Sequence, residues 1–302
     1  MSKIDIVIPW LNPTDKWYEQ YKLYCENENP GRIRDLNTIK YVLRSIEKNC
    51  TWLNKLYLVV FDEEQIPNWI NKDCDKLKII YHKDIILEEF LPNFNSTIVE
   101  MFIHKIPNIS DNVVYSNDDI WFMKDIPVEM YFENNRPVHQ YSITNGKFKY
   151  RACRWDYVLA NTYELYHKIT GQYNLFNTRH MPMPLNINMQ KFIWFKYENE
   201  LLNSCKNAKI RQPHSISNQL FYYLDEFNRN AVNKPIYNKF ICKSMGLNDR
   251  TKCVDIENII KSSHIACLND NETLTKRNED NVRKWIDELG QKYFPNKSKF
   301  EV

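Results

Sequence analysis

Glycine is scarce in this 302-residue chain, with only Gly31, Gly146, Gly171, Gly246 and Gly290. Five scattered glycines can write neither a G-x-G-x-x-G turn nor a G-x-x-x-x-G-K-[ST] loop, so no glycine-rich turn cradles a phosphate. A nucleotide bound here would need side chains and a metal to neutralise its pyrophosphate. G-x-S-x-G and H-E-x-x-H are missing too, which weakens hydrolase readings. The eight cysteines form no C-x-x-C or C-x-x-x-C pair, so the spacing of a structural zinc site is absent. No run approaches the ~18 apolar residues of a membrane span, and any membrane association is expected to be peripheral. Met-Ser-Lys-Ile-Asp lacks an apolar signal core because Asp5 interrupts it. Scattered thiols without a signal lead to the expectation of a reduced, cytoplasmic protein. Net charge is only +3, from 41 basic and 38 acidic residues. That near-balance argues against a nucleic-acid partner and still allows a local basic pocket.

What is present is enough for a sizeable core: 43% hydrophobic and 14% aromatic residues. Ile4 to Pro9, Lys55 to Phe61, Leu77 to His82 and Asn112 to Ser116 read as strands. Trp17 to Glu28, Thr38 to Asn49 and Asn95 to Lys105 carry apolar residues at helical spacing. The alternation of strands and helices predicts an α/β fold with a parallel-dominated sheet. After about residue 145 the texture changes. Arg154 to Thr170, Met189 to Cys205, Ser217 to Phe227 and Lys276 to Leu289 all read as helices. The division expected is an α/β core over residues 1–145 and a mostly helical part over 146–302, with a polar tail from Pro295 that frays.

The candidate chemistry gathers at a few places. Ser116-Asn117-Asp118-Asp119 follows the apolar run Val113-Val114-Tyr115. A buried strand would deliver these acids to the C-terminal edge of the sheet, where open α/β sheets bind ligands. There they could hold a divalent cation; the same residues read equally well as a solvated turn. Asp5 lies early in the first strand, either aimed at a site or just outside the strand. Thr97 and Glu100 fit a capping box, which on local grounds makes Glu100 structural. His180 sits in the proline-stiffened His180-Met181-Pro182-Met183-Pro184, a suitable mount for a general base. Arg211 could grip a phosphate with its planar fork. Cys267-Leu268-Asn269-Asp270 repeats the pattern of apolar residues running into Asn-Asp.

Four blocks in this order resemble the Stealth family, hexose-1-phosphate transferases of bacterial capsule synthesis. The first is Ile4 to Asp15. The second begins at Arg34-Asp35 and takes in Tyr41 to Glu47, Gln65 to Trp69, His82 to Ile85, Leu91 to Ser96, Glu100, His104 to Pro107 and Asn117 to Asp119. The third is His180-Met181-Pro182 with Arg211, and the fourth is Cys267 to Asp270. Pro13 and Asn108 stand where the family usually has glycine, and Lys105 where it usually has arginine.

The resemblance implies a Rossmann-like, GT-A-like nucleotide-sugar core completed by a helical half, together one catalytic domain over 1–302. It implies transfer of a sugar-1-phosphate from a UDP-sugar donor to a hydroxyl of an oligosaccharide or polysaccharide acceptor, releasing UMP. The alternative on a similar core is a metal-dependent glycosyltransferase that releases UDP. The residues implied as catalytic are Asp5, Glu100, Asp119, His180 and Arg211, which reverses the local reading of Glu100. Asn12, Arg44, Asn95, Ser96, His104 and Asn117 would contact substrate. Asp118, Asp119 and Asp270 would hold Mg2+ or Mn2+.

Overall fold

The computed structural model describes residues 2–25, 31, 33–143, 154–173, 176–178, 180–212, 214–235 and 240–302. Its centre is a sheet of β1 (Ile4–Pro9), β2 (Leu53–Val60), β3 (Leu77–Tyr81), β4 (Asn112–Tyr115) and β9 (Met183–Asn186). The order is β3-β2-β1-β4-β9, the first four parallel and β9 antiparallel at the edge. The 3-2-1-4 order puts a topological switch between β1 and β4, where a doubly wound sheet opens a crevice beyond its strand C-termini.

Both faces of this sheet are covered, as a parallel sheet requires. Successive strand side chains point to opposite faces. Ile4, Ile6 and Ile8 of β1 pack in one core cluster with α2 (Ile39–Asn49), α9 (Cys253–Lys261) and α10 (Lys276–Tyr293). Val7 packs in the other, with α4 (Ser96–Met101), α6 (Ile187–Lys196), α7 (Glu198–Cys205) and α8 (Gln219–Phe227). Helix α1 (Asp15–Lys22) follows β1, α3 (His82–Ile85) follows β3, and α5 (Arg154–Thr170) packs on α8. At Gly290 α10 comes so close to α2 that an added Cβ would lie 2.4 Å from the Tyr41 ring.

Two smaller sheets complete the fold. β5 (Ile120–Phe122) runs antiparallel to β12 (Ile265–Asp270), which lies parallel to β11 (Cys242–Leu247). β7 (Arg136–Ile143) pairs with β6 (Phe132–Glu133), β8 (Phe176–Thr178) and β10 (Val232–Pro235).

Several expectations change. The part beyond residue 145 carries the expected helices and also supplies β8 to β12, one of which completes the central sheet. The stretch Asn95 to Lys105 is α4 followed by a 3-10 turn over Ile103–Lys105, and Met189 to Cys205 breaks at Tyr197 into α6 and α7. Helix α1 ends at Lys22, and residues 26–28 of the expected helix lie outside the described residues. The tail from Pro295 does not fray. Phe300 is fully buried, and Glu301 takes a bidentate ion pair from Arg44 at 2.8 and 2.7 Å. Asn108 holds a φ of 57°, the left-handed region where glycine is usual and asparagine is tolerated.

Candidate active site

A cleft of about 900 Å³ opens at the C-terminal ends of β1 to β4. Each strand delivers a residue to it: Trp10 after β1, Phe61 after β2, His82 after β3 and Asn117-Asp118-Asp119 after β4. The acidic step is therefore a strand terminus facing a cavity.

Asp119 sits where two sheets meet. Its carbonyl accepts from the Leu268 amide at 2.9 Å, and β12 pairs with β5 immediately beyond it. This pairing carries Cys267 to Asp270, distant in sequence, to the acidic step. The Cys267 thiol donates to Asp119 Oδ2 at 3.5 Å, while Asp119 Oδ1 is buried without a hydrogen-bond partner among the described residues. Burial raises the Asp119 carboxyl above its ordinary range, and the neighbouring His180 opposes that rise. Asp118 is raised further, by burial and by the negative charges of Asp119 and Asp35. Asp35 is pushed up to about 6 by burial, against a hydrogen bond from the Asn37 amide at 2.8 Å. Repulsion among carboxylates facing one cleft is the field that a divalent cation relieves.

The expected metal set does not close. Asp270 is held by Arg34, Nε to Oδ2 at 2.5 Å and Nη2 to Oδ1 at 2.7 Å. Among the described residues, the group of His, Cys, Asp or Glu donors whose ligand atoms all lie within 4.8 Å of one another is Asp119, His180 and Cys267. Asp118 and Asp270 stay outside it.

Glu100 settles the conflict between its two readings. The cap of α4 is Asn95, whose Oδ1 accepts from the Thr97 amide at 3.2 Å and the Thr97 hydroxyl at 2.9 Å. Glu100 is thus released from capping. Its Oε1 instead accepts from the Tyr115 hydroxyl at 2.6 Å, in the wall of the cleft. Burial raises the Glu100 carboxyl, with Tyr115 and Arg211 pulling it back. Arg211 donates Nη2 to the Ser96 hydroxyl and lies over the Trp155 ring, 5.6 Å from its centroid.

The cleft therefore gathers Glu100, Asp119, His180 and Arg211, together with Asn95, Ser96, Asn117, Asp118 and Asp270. Four expected residues lie elsewhere. Asp5 is at the opposite ends of the strands, where its oxygens accept from Asn54, Lys55 and Ser110 at 2.7 to 3.0 Å. Arg44 clamps the tail. His104 is buried against Trp194, ring centroids 5.3 Å apart. Asn12 donates to the Gln65 carbonyl at 2.8 Å and does not line the cleft. Sequence reasoning passed over Asp35, Tyr115 and Trp155. Asp35 stood beside Arg34 at the opening of the second block, and Tyr115 ended the apolar run. Nothing local marks Trp155.

Comparison with known proteins finds similarity to phosphotransferases of polysaccharide synthesis. Residues 32–140 match the Stealth protein conserved region 2, the span that carries Asp35, Glu100 and the acidic step. A capsular polysaccharide phosphotransferase of Actinobacillus suis is 29% identical over 89% of this chain and 77% of its own length. Capsular polysaccharide phosphotransferase WcwK of Streptococcus pneumoniae is 26% identical over 100% and 99% of the two chains. An exopolysaccharide phosphotransferase of Lactiplantibacillus plantarum is 26% identical over 99% and 96%. The matched region and these similarities along the chain are those of the Stealth family, which the chain resembles.

Proposed function

We propose that this protein is a phosphotransferase of cell-surface polysaccharide synthesis, moving a sugar-1-phosphate from a UDP-sugar to an acceptor glycan hydroxyl on a GT-A-like core. The observation that carries this reading is the convergence of Arg211, Glu100, His180 and Asp119 in one cleft at the sheet's switch point. The names of the relatives support the class of reaction, since they are capsular and exopolysaccharide phosphotransferases.

The acceptor oxygen attacks the β-phosphorus of the donor. A new O–P bond forms as the bond to the bridging oxygen breaks, and UMP leaves. Arg211, steered by Ser96 and Trp155, binds the transferring phosphoryl group. His180 takes the acceptor proton, with the Asp119 carboxylate favouring the imidazolium that results. Glu100, fixed by Tyr115, orients a substrate hydroxyl.

The cleft holds more carboxylates than cations, so a pyrophosphate needs a counterion. Mg2+ or Mn2+ fits, held by Asp119 and Asp118, because such ions settle for one or two carboxylates plus phosphate oxygens. When bound, the ion would neutralise charge on the phosphates.

Incubation with a panel of UDP-sugars, Mg2+ and acceptor oligosaccharides tests the proposal. Acceptor-dependent UMP is the expected product. Release of UDP would overturn it in favour of glycosyl transfer. Arg211→Ala and His180→Ala should each lower turnover by ~10²–10⁴-fold while circular dichroism stays unchanged.

A further inference from the structure

Cys267 has no part in the reaction just described, yet it lies directly behind the cleft residue Asp119. It is the buried thiol of β12, and its Sγ lies 3.5 Å from Asp119 Oδ2. His180 completes a group of three donors, one nitrogen, one oxygen and one sulfur, all within 4.8 Å of one another. The other oxygen of Asp119 is buried with no partner among the described residues. His180 is exposed at the mouth, so an ion has a way in.

Three protein donors of mixed N, O and S character, two of them lining a cleft, are the donor set of an open zinc site. The set is wrong for magnesium, which takes oxygen ligands and does not seek sulfur. We infer that Asp119, His180 and Cys267 form an inhibitory site for a thiophilic divalent cation such as Zn2+, distinct in chemistry from the hard ion that activates the donor.

The inhibitory consequence rests on the catalytic roles given above to His180 and Asp119. Coordination uses the imidazole lone pair that would accept the proton and the carboxylate that would favour its charge. The thiol loses its proton to solvent on binding. Zinc therefore switches the site off without touching Arg211.

The test uses the full chain and Co2+ as a spectroscopic probe. The wild type should take up a cobalt ion with a thiolate-to-cobalt charge-transfer band in the near ultraviolet, and Cys267→Ser should lack that band. His180→Gln, altered at an exposed side chain, should weaken the band and so provides the same reading if the serine variant does not fold. In parallel, Zn2+ should suppress wild-type UMP release in a manner reversed by EDTA. Cys267→Ser, whose hydroxyl keeps the hydrogen bond to Asp119, should turn over normally. Its zinc sensitivity should fall by at least on the order of 10- to 100-fold, the loss that disturbing even an outer partner of a metal ligand brings. A wild type without the band, or a serine variant that keeps it, overturns the site. A protein that shows the band but releases no UMP retains the site and refutes the reaction instead.

Discussion

At the N-terminal ends of β1 and β4, Asp5 is wholly buried, and three donors satisfy its two oxygens. At the C-terminal ends of the same strands, Asp118 feels the negative charges of Asp119 and Asp35, and one Asp119 oxygen has no donor among the described residues. The difference separates two uses of a buried acid. A carboxylate ringed by backbone and side-chain amides stabilises the fold, because its desolvation is offset where it sits. A carboxylate left short of donors and close to like charge is held ready for a proton, a cation or a substrate.

The largest effect that could break this comparison is at the open end. Asp119→Asn keeps the shape and removes the charge, and is expected to lower UMP release by ~10²–10⁴-fold with the thermal midpoint preserved. Near-normal turnover would make the two ends alike.

Next comes the closed end. Asp5→Ala strands the Asn54 amide and the Lys55 and Ser110 N–H groups, a loss on the order of 3 kcal/mol or more. Urea denaturation should show a lower midpoint with an unchanged slope, and turnover per folded molecule should hold. A folded but inactive Asp5→Ala protein would put Asp5 back into the chemistry.

The smallest effect concerns Asp35. Its carboxyl lies at about 6 in the folded protein, above the ordinary range because of burial. The folded state therefore holds that proton more tightly than the unfolded chain. The associated stability is present below the unfolded value of ~4 and is lost as pH rises through about 6. Asp35→Asn should raise the melting temperature at pH 7 by about a few degrees and give no gain below pH ~4. A gain that persists in acid would mean that the ionised carboxylate is not the source.

Much of this was legible in the sequence because it is periodic or local. The β-branched runs ending at Pro9 and Tyr115 became parallel strands, and Ile39, Val42, Leu43 and Ile46 became the buried stripe of α2. The want of glycine ruled out a phosphate loop before any fold was known, and the order of the motif blocks pointed to the family. The tail was misread because polar composition says nothing about a partner 257 residues away, here Arg44 against Glu301. Glu100 was misread locally because Thr97 offered a capping box, and only the structure shows Asn95 taking the cap.

By itself, then, the sequence determined the alternation of strand and helix, the lack of a glycine-rich phosphate loop, and the acids, histidine and arginine available to the cleft. Only the tertiary structure decided which of them meet. Asp5 and Asp119 carry the same group beside the same sheet, and the strand end each occupies makes one a strut and the other a site residue. The meeting of Asp119 with His180 and Cys267 depends on β5 pairing with β12 across the fold. Such pairing is set by packing and backbone register over long separations, for which a local pattern of residues carries no signal.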